Sequence, residues 1–312
     1  MTYSKPILGL DIGGTNVRAA LIRGSEVTAI RGATWPADLS PEEEVGFVAD
    51  QALAVVGEAR LTAPAAGVSL AALLTKKGVV AHWPNRPNWR GLAFRSLLEA
   101  RLGMPIVIED DANAAAMAEW AYGSGRGYRQ LLVVMVGTGV GAGLILDGRL
   151  YRGGFGWAGE LGHVTVSPDG PPCPCGKHGF LQTLASGRAL ERVATDRGLG
   201  AASAVTAAAE LGEEWAQHAL ADCGRQLGLA LANAVNLLDL EAVVVGGGLS
   251  VLGQTWWTGL ERALRANLIN RDHREVALLR AKLPDTAGLI GAALLARKTT
   301  GVWGPDGVRA HG

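Results

Sequence analysis

Gly9-Leu10-Asp11-Ile12-Gly13-Gly14-Thr15-Asn16-Val17-Arg18 follows a short apolar run and leads into another, Ala19-Ala20-Leu21-Ile22. Apolar run, paired glycines and apolar run form the pattern of strand, tight turn and strand. Gly13 and Gly14 can adopt backbone angles closed to other residues and let a ligand approach main-chain N–H groups, while Thr15 and Asn16 add side-chain donors. An anion suits such a turn. Asp11 at its head repels phosphate directly, so on that reading its place is to hold a hydrated Mg²⁺. The same stretch also satisfies a plain β-hairpin in which Asp-Ile-Gly-Gly meets turn geometry and nothing more. Recurrence elsewhere in the chain decides between the two.

The pattern does recur. Leu131-Leu132-Val133-Val134-Met135-Val136 leads into Gly137-Thr138-Gly139-Val140-Gly141 and out through Ala142 to Leu146, a second strand–turn–strand with the same glycine and threonine chemistry. A third glycine turn, Gly246-Gly247-Gly248, follows the apolar run Val243-Val244-Val245. Duplication of a strand–turn–strand unit is what a two-lobed phosphate clamp needs.

Between these turns, Pro41 to Arg60 place Val45, Val48, Leu53 and Val56 at helical spacing behind Ser40 and the Glu42-Glu43-Glu44 run. Ala65 to Leu74 read as an apolar strand. The loop from Val79 to Trp89 is dense in proline, amide and indole, with Trp83, Asn85 and Trp89 offering stacking faces and hydrogen bonds that suit a sugar ring. An ordinary Pro-rich connection has the same composition. Phe94 to Leu102 form a short helix, and Pro105 to Ile108 a buried strand ending in Glu109-Asp110-Asp111, after which a helix begins at once. Asp111 fits an N-cap; the carboxyl end of a strand feeding a helix is also where open α/β sheets place active sites. Adjacent carboxylates there repel unless one binds a hydroxyl and the other takes a proton. Trp215, Leu220, Cys223, Leu227, Leu231 and Leu238 mark a long amphipathic helix, and Asp285 or Thr286 caps the last one.

A chain of 312 residues accommodates two domains, and 48% apolar residues with 44 glycines suit a well-packed α/β protein rich in turns. Lys+Arg and Asp+Glu both number 29, so the balanced charge offers no electrostatic case for nucleic acid or an anionic membrane. The N-terminus lacks the layout of a signal peptide, and the longest apolar run, Leu131 to Leu146, is too short and too glycine-broken to span a bilayer. A cytoplasmic location is expected. Cys173 and Cys175 are too close for a relaxed disulfide, and no disulfide framework is indicated.

With these pieces together, the chain resembles the ROK family of the actin-like ATPase superfamily, which includes bacterial glucokinases, N-acylhexosamine kinases, fructokinases and related repressors. The resemblance runs from about Leu8 to Ala296. Asp11 to Arg18 look like the family's first phosphate motif, Gly137 to Gly143 like the second, and Gly246-Gly247-Gly248 like its adenosine motif. Most specific is Gly159-Glu160-Leu161-Gly162-His163, followed by Cys173-Pro174-Cys175-Gly176-Lys177-His178-Gly179.

The resemblance implies an α/β, two-lobed actin-like (ribonuclease H-like) fold with an interlobe cleft. The N-terminal lobe would comprise residues 1–111 plus a returning helix at 287–298, the C-terminal lobe residues 112–286 with the sugar and zinc-motif insertion, and 299–312 a loose tail. It implies ATP and Mg²⁺, held by Asp11, Gly13, Gly14, Thr15, Asn16, Gly137, Thr138, Gly139, Gly246, Gly247 and Gly248, and a homodimer or homotetramer. Asp111 would be the general base, and Asn85, Asp110, Glu160, His163 and Gln182 would hold the sugar.

Three departures cluster around the sugar. Zinc-bearing family members use one His and three Cys; here His163, Cys173 and Cys175 are present, but Phe180 occupies the third cysteine position, leaving bound zinc open and His178 as a candidate fourth ligand. The family's Glu after that cysteine is Gln182, a neutral amide, and its Asn before the catalytic Asp is Asp110. Ser69 to Leu74 lack the glycine and proline of the usual sugar loop. The expected reaction is ATP-dependent phosphorylation of a hexose at its 6-hydroxyl, with an N-acylhexosamine (N-acetylmannosamine or N-acetylglucosamine) as the alternative substrate. A sugar-sensing regulator is disfavoured because only eight residues precede Gly9, too few for the repressors' helix-turn-helix. A catalytically silent sugar binder is disfavoured because binding alone needs no base at Asp111.

Overall fold

The computed structural model describes residues 5–283 and 285–301. The chain divides after Tyr122 and again before Asp285: the flanking segments form one compact unit and the middle segment the other.

The first unit begins with β1 (Ile7–Ile12), β2 (Asn16–Arg23) and β3 (Glu26–Thr34), followed by α1 (Pro41–Ala59), β4 (Ala66–Leu70) and the small hairpin β5 (Leu73–Leu74) and β6 (Val80–His82). It continues with α2 (Phe94–Leu102), β7 (Ile106–Asp110) and α3 (Asp111–Tyr122). The second unit carries β8 (Leu131–Val136), β9 (Val140–Leu146), β10 (Arg149–Tyr151), α4 (Gly187–Thr195), α5 (Ala202–Glu210), α6 (Glu214–Leu238), β11 (Ala242–Gly246), α7 (Gln254–Ala266) and β12 (Ala277–Arg280). The last helix, α8 (Ala287–Thr300), returns to the first unit. It absorbs the start of the expected loose tail; residues 302–312 lie outside the described residues.

The two main sheets are built alike. One has the order β3-β2-β1-β4-β7 and the other β10-β9-β8-β11-β12. In each, a meander of antiparallel strands supplies the outer half and two parallel neighbours the rest. The duplication read from the glycine turns therefore extends to whole sheets. β4 and β11 are buried at every residue, as expected where elements cover both faces of parallel strands.

α1 starts at a capping box: Ser40 Oγ accepts from the Glu43 N–H and the Glu43 carboxylate accepts from the Ser40 N–H, with Pro41 in the first turn. Its apolar face runs through Val45, Val48, Ala52 and Val55; Leu53, expected there, is exposed. On the sheet's other side, α8 lies against backbone. A Cβ at Gly67 on β4 would sit 1.9 Å from the Ala292 carbonyl oxygen, and one at Gly291 1.7 Å from that of Ala114 on α3. Thr286 occupies the N-cap of α8 without a side-chain capping bond, so the expected cap is not made. The neighbouring Asp285 carbonyl instead accepts from Arg18 Nη1 at 2.6 Å.

Candidate active site

In the first unit, the expected residues collect at the carboxyl ends of the parallel strands. β1 ends at Asp11-Ile12, β4 at Ser69-Leu70 and β7 at Glu109-Asp110, with Asp11 paired to Ser69 and Leu70 to Asp110 in the sheet register. The Gly13 N–H donates to the Asn16 carbonyl at 3.0 Å, closing the turn. Asp11, Gly13, Gly14, Thr15, Asn16 and Arg18 line a cavity of about 620 Å³. One Asp11 oxygen accepts from Ser69 Oγ at 2.9 Å and the other from Arg18 Nη2 at 2.5 Å. A part-exposed carboxylate oriented from both sides at the rim of a glycine turn fits the water shell of Mg²⁺.

Asn85 packs directly on this turn: a Cβ at Gly14 would lie 2.8 Å from its Nδ2, so glycine there makes room for the amide. The indoles of the same loop face elsewhere. Trp83 is 1% exposed and Trp89 fully buried, stacked edge-to-face at 4.7 Å within the core. They are core residues and offer no stacking face to a sugar, which corrects the sequence expectation. Instead they anchor the loop: the buried Glu44 of α1 accepts from Trp89 Nε1 and pairs with Arg86. Arg86 stacks over Trp35 at 4.0 Å, and Trp35 Nε1 donates to the Gly13 carbonyl at 2.9 Å. Nothing local in the sequence marks Glu44, Trp35 or Arg86 for this chain of contacts.

Asp110 and Asp111 separate in role at the β7–α3 junction. Asp110 Oδ1 accepts from the Ala112 and Asn113 N–H groups at 3.0 and 3.3 Å, so Asp110 is the capping carboxylate. Asp111 is the first helical residue, its Oδ1 receiving the Ala112 N–H at 2.8 Å. The cap reading therefore belongs to Asp110.

The second unit repeats the turn. The Gly137 N–H donates to the Gly139 carbonyl at 2.9 Å, and the Gly187 N–H at the start of α4 donates to the Gly137 carbonyl at 2.8 Å. Gly247, at φ +83°, presses on the end of β8: a Cβ there would lie 2.5 Å from the Val136 carbonyl oxygen. The Gly246–Gly248 and Gly137–Gly139 turns are thereby brought together. Thr138, Gln182, Arg188 and Arg192 line a neighbouring cavity of about 400 Å³.

The segment from Gly159 to His163 lies flat on β9. Gly159, at φ +100°, and Gly162 have no room for a Cβ, which would fall 2.1 Å from the Ala142 and Val140 carbonyl oxygens respectively. This seating lets Glu160 and His163 act as a pair: His163 Nδ1 lies 2.7 Å from Glu160 Oε2. That hydrogen bond raises the imidazole's pKa above its ordinary value against the opposing effect of burial. Gln182 Nε2 is 3.1 Å from His163 Nε2 and 3.3 Å from Cys173 Sγ. Burial pushes the Cys173 thiol up, but hydrogen bonds from Cys175 and Gln182 outweigh it and leave its pKa lowered.

The ligating atoms of His163, Cys173 and Cys175 lie within 4.8 Å of one another. They do not fit a closed zinc site. Among the described residues no fourth His, Cys, Asp or Glu joins the group, and His178 is exposed outside it. Phe180 stands edge-on to His163 at 5.4 Å between ring centroids.

No helix among the described residues is long and apolar enough to cross a membrane. The chain matches the ROK family model over residues 7–299. It is 34% identical to a glucokinase of Streptomyces coelicolor over 93% of this chain and 97% of that one. It is 32% identical to an N-acetylmannosamine kinase of Salmonella typhi, over 94% and 99%. A ROK family glucokinase from Streptomyces griseus, solved in complex with glucose and AMPPNP, superposes with a TM-score of 0.82 at 33% identity, covering 94% of this chain and 99% of that one.

Proposed function

The chain belongs to the ROK family, and from that premise we propose that this sugar kinase transfers the γ-phosphoryl group of ATP to the 6-hydroxyl of a hexose. Its fold is of the actin-like ATPase type. Asp111 takes the proton from the sugar hydroxyl as that oxygen bonds to the γ-phosphorus. The bond from that phosphorus to the β–γ bridging oxygen breaks, and ADP leaves. Phosphoryl transfer needs mostly positioning and charge neutralisation. The N–H groups of the Gly13–Asn16 and Gly137–Gly139 turns supply donors for phosphate oxygens, and Gly246–Gly248 seat the adenosine. Mg²⁺, when bound through water to Asp11, offsets the phosphate charge.

Asn85, Asp110 and Glu160 hold sugar hydroxyls, with His163 and Gln182 orienting Glu160 from behind. The observation that carries the catalytic assignment is the place of Asp111, first residue of α3 at the carboxyl end of β7, with Asp110 beside it sharing the first-turn N–H groups. The glucose and AMPPNP complex of the Streptomyces griseus glucokinase supports the substrate pair. An N-acylhexosamine is the second reading, favoured by likeness to the Salmonella typhi N-acetylmannosamine kinase.

Asp111→Asn separates the assignments. Loss of a general base costs about 10²–10⁴-fold in rate, so kcat should fall by that factor while sugar affinity by calorimetry stays near wild type. A variant keeping more than about a tenth of wild-type kcat would remove Asp111 from the base role.

A further inference from the structure

We propose that Gln182 holds His163 in its working tautomer by hydrogen bonds alone, in the place where a metal ion would do so, and that this chain's sugar pocket is metal-independent. The inference rests on the reading of Glu160 as a sugar-hydroxyl ligand: with both ring nitrogens engaged, His163 acts through Glu160, which it orients.

Glu160 Oε2, a carboxylate oxygen that can only accept, sits 2.7 Å from His163 Nδ1, so Nδ1 carries the proton and Nε2 presents a lone pair. Gln182 Nε2 stands 3.1 Å from that lone pair. An amide NH₂ has two donors, and the second is directed at Cys173 Sγ, 3.3 Å away. One amide nitrogen thus engages both atoms that a zinc ion would bind first. The imidazole is gripped by an acceptor on one side and a donor on the other, which is how a metal and its supporting carboxylate fix a ligating histidine.

The residue is itself held. Ser186 Oγ donates to the Gln182 main-chain carbonyl at 2.6 Å, and a Cβ at Gly139 would lie 2.9 Å from Gln182 Oε1, so the side-chain amide oxygen is seated on the phosphate turn. Phe180 fixes the plane of the imidazole from its edge. Two of the chain's departures from the family pattern are therefore complementary. Replacing the third cysteine with Phe180 removes a metal ligand; replacing the glutamate with Gln182 adds the N–H donors that take over the metal's task. A carboxylate at 182 would offer His163 Nε2 no donor and would set a negative charge against Cys173.

Four measurements test this on the full chain. Protein purified without chelator should contain zinc far below one equivalent by elemental analysis, and added zinc should leave the sugar KM unchanged. Imidazole ¹⁵N shifts should report His163 with the proton on Nδ1, a readout that needs no variant and no assay. Gln182→Glu should raise the sugar KM at least about tenfold, in the range of lost ligand-supporting contacts, with a much smaller change in kcat. The double variant Phe180→Cys with Gln182→Glu should take up zinc and regain sugar affinity that chelator then abolishes. Stoichiometric zinc surviving chelator dialysis of the wild type, an Nε2–H tautomer, or a Gln182→Glu variant with wild-type KM would each overturn the proposal. If no sugar is phosphorylated, the kinase reading fails while the metal and tautomer measurements still judge this one.

Discussion

Cys223 and the Cys173–Cys175 pair differ in what surrounds their thiols. Burial pushes the Cys223 thiol up to about 12, against the smaller effect of the Trp256 Nε1–H directed at its sulfur at 3.3 Å. Alkylation requires the thiolate, so iodoacetamide at pH 8 should leave Cys223 unmodified in the native protein and label only the Cys173–Cys175 segment. Peptide mass spectrometry showing Cys223 modified at a comparable rate would contradict that environment. Single residues were legible in the sequence where local spacing carries the chemistry. Asp11 beside Gly13-Gly14 needed only its neighbours, whereas Glu160 and His163 were singled out by the resemblance to the family's motif. Trp83 and Trp89 illustrate the limit: a loop rich in indole looks alike whether its rings face a ligand or the core, and only the tertiary fold sends them inward. Asp111 alone was read as a cap, whereas the first-turn N–H groups of α3 also reach Asp110, which accepts from two of them.

At the scale of elements, α1 shows how a helix can position a distant loop. Its capping box was written in Ser40 to Glu44, but the partner of Glu44 lies 42 residues on, at Arg86. Glu44 is 3% exposed, and its carboxylate joins Arg86, Trp89 and, through Arg86, Trp35 on the phosphate turn. Removing one partner of a buried ion pair strands the other and costs about 3–5 kcal/mol. Glu44→Ala should therefore lower the stability of the chain by that amount in urea denaturation, and it should raise the sugar KM through Asn85. A loss below about 1 kcal/mol, the range of exposed pairs, would show that the network carries no load. Such long-range pairs leave no periodic trace in a sequence, whereas the helix that hosts them does.

On the scale of the whole molecule, duplication was the readable feature: two glycine turns of the same chemistry predicted two equivalent units, and the two main sheets repeat one strand order. The return of α8 to the first unit is supported by glycines whose purpose appears only in three dimensions, since Gly67 and Gly291 look like any others in the chain. Substrate choice is less legible, because the departures from the family pattern fall on the sugar side while the phosphate turns are retained. The most direct measurement is ADP release with ATP and Mg²⁺ across a panel of hexoses and N-acylhexosamines, followed by NMR of the product. A sugar-dependent signal, strongest with a hexose and yielding its 6-phosphate, is the predicted result. ADP release no higher with any sugar than without one would contradict the assignment of this chain as a sugar kinase.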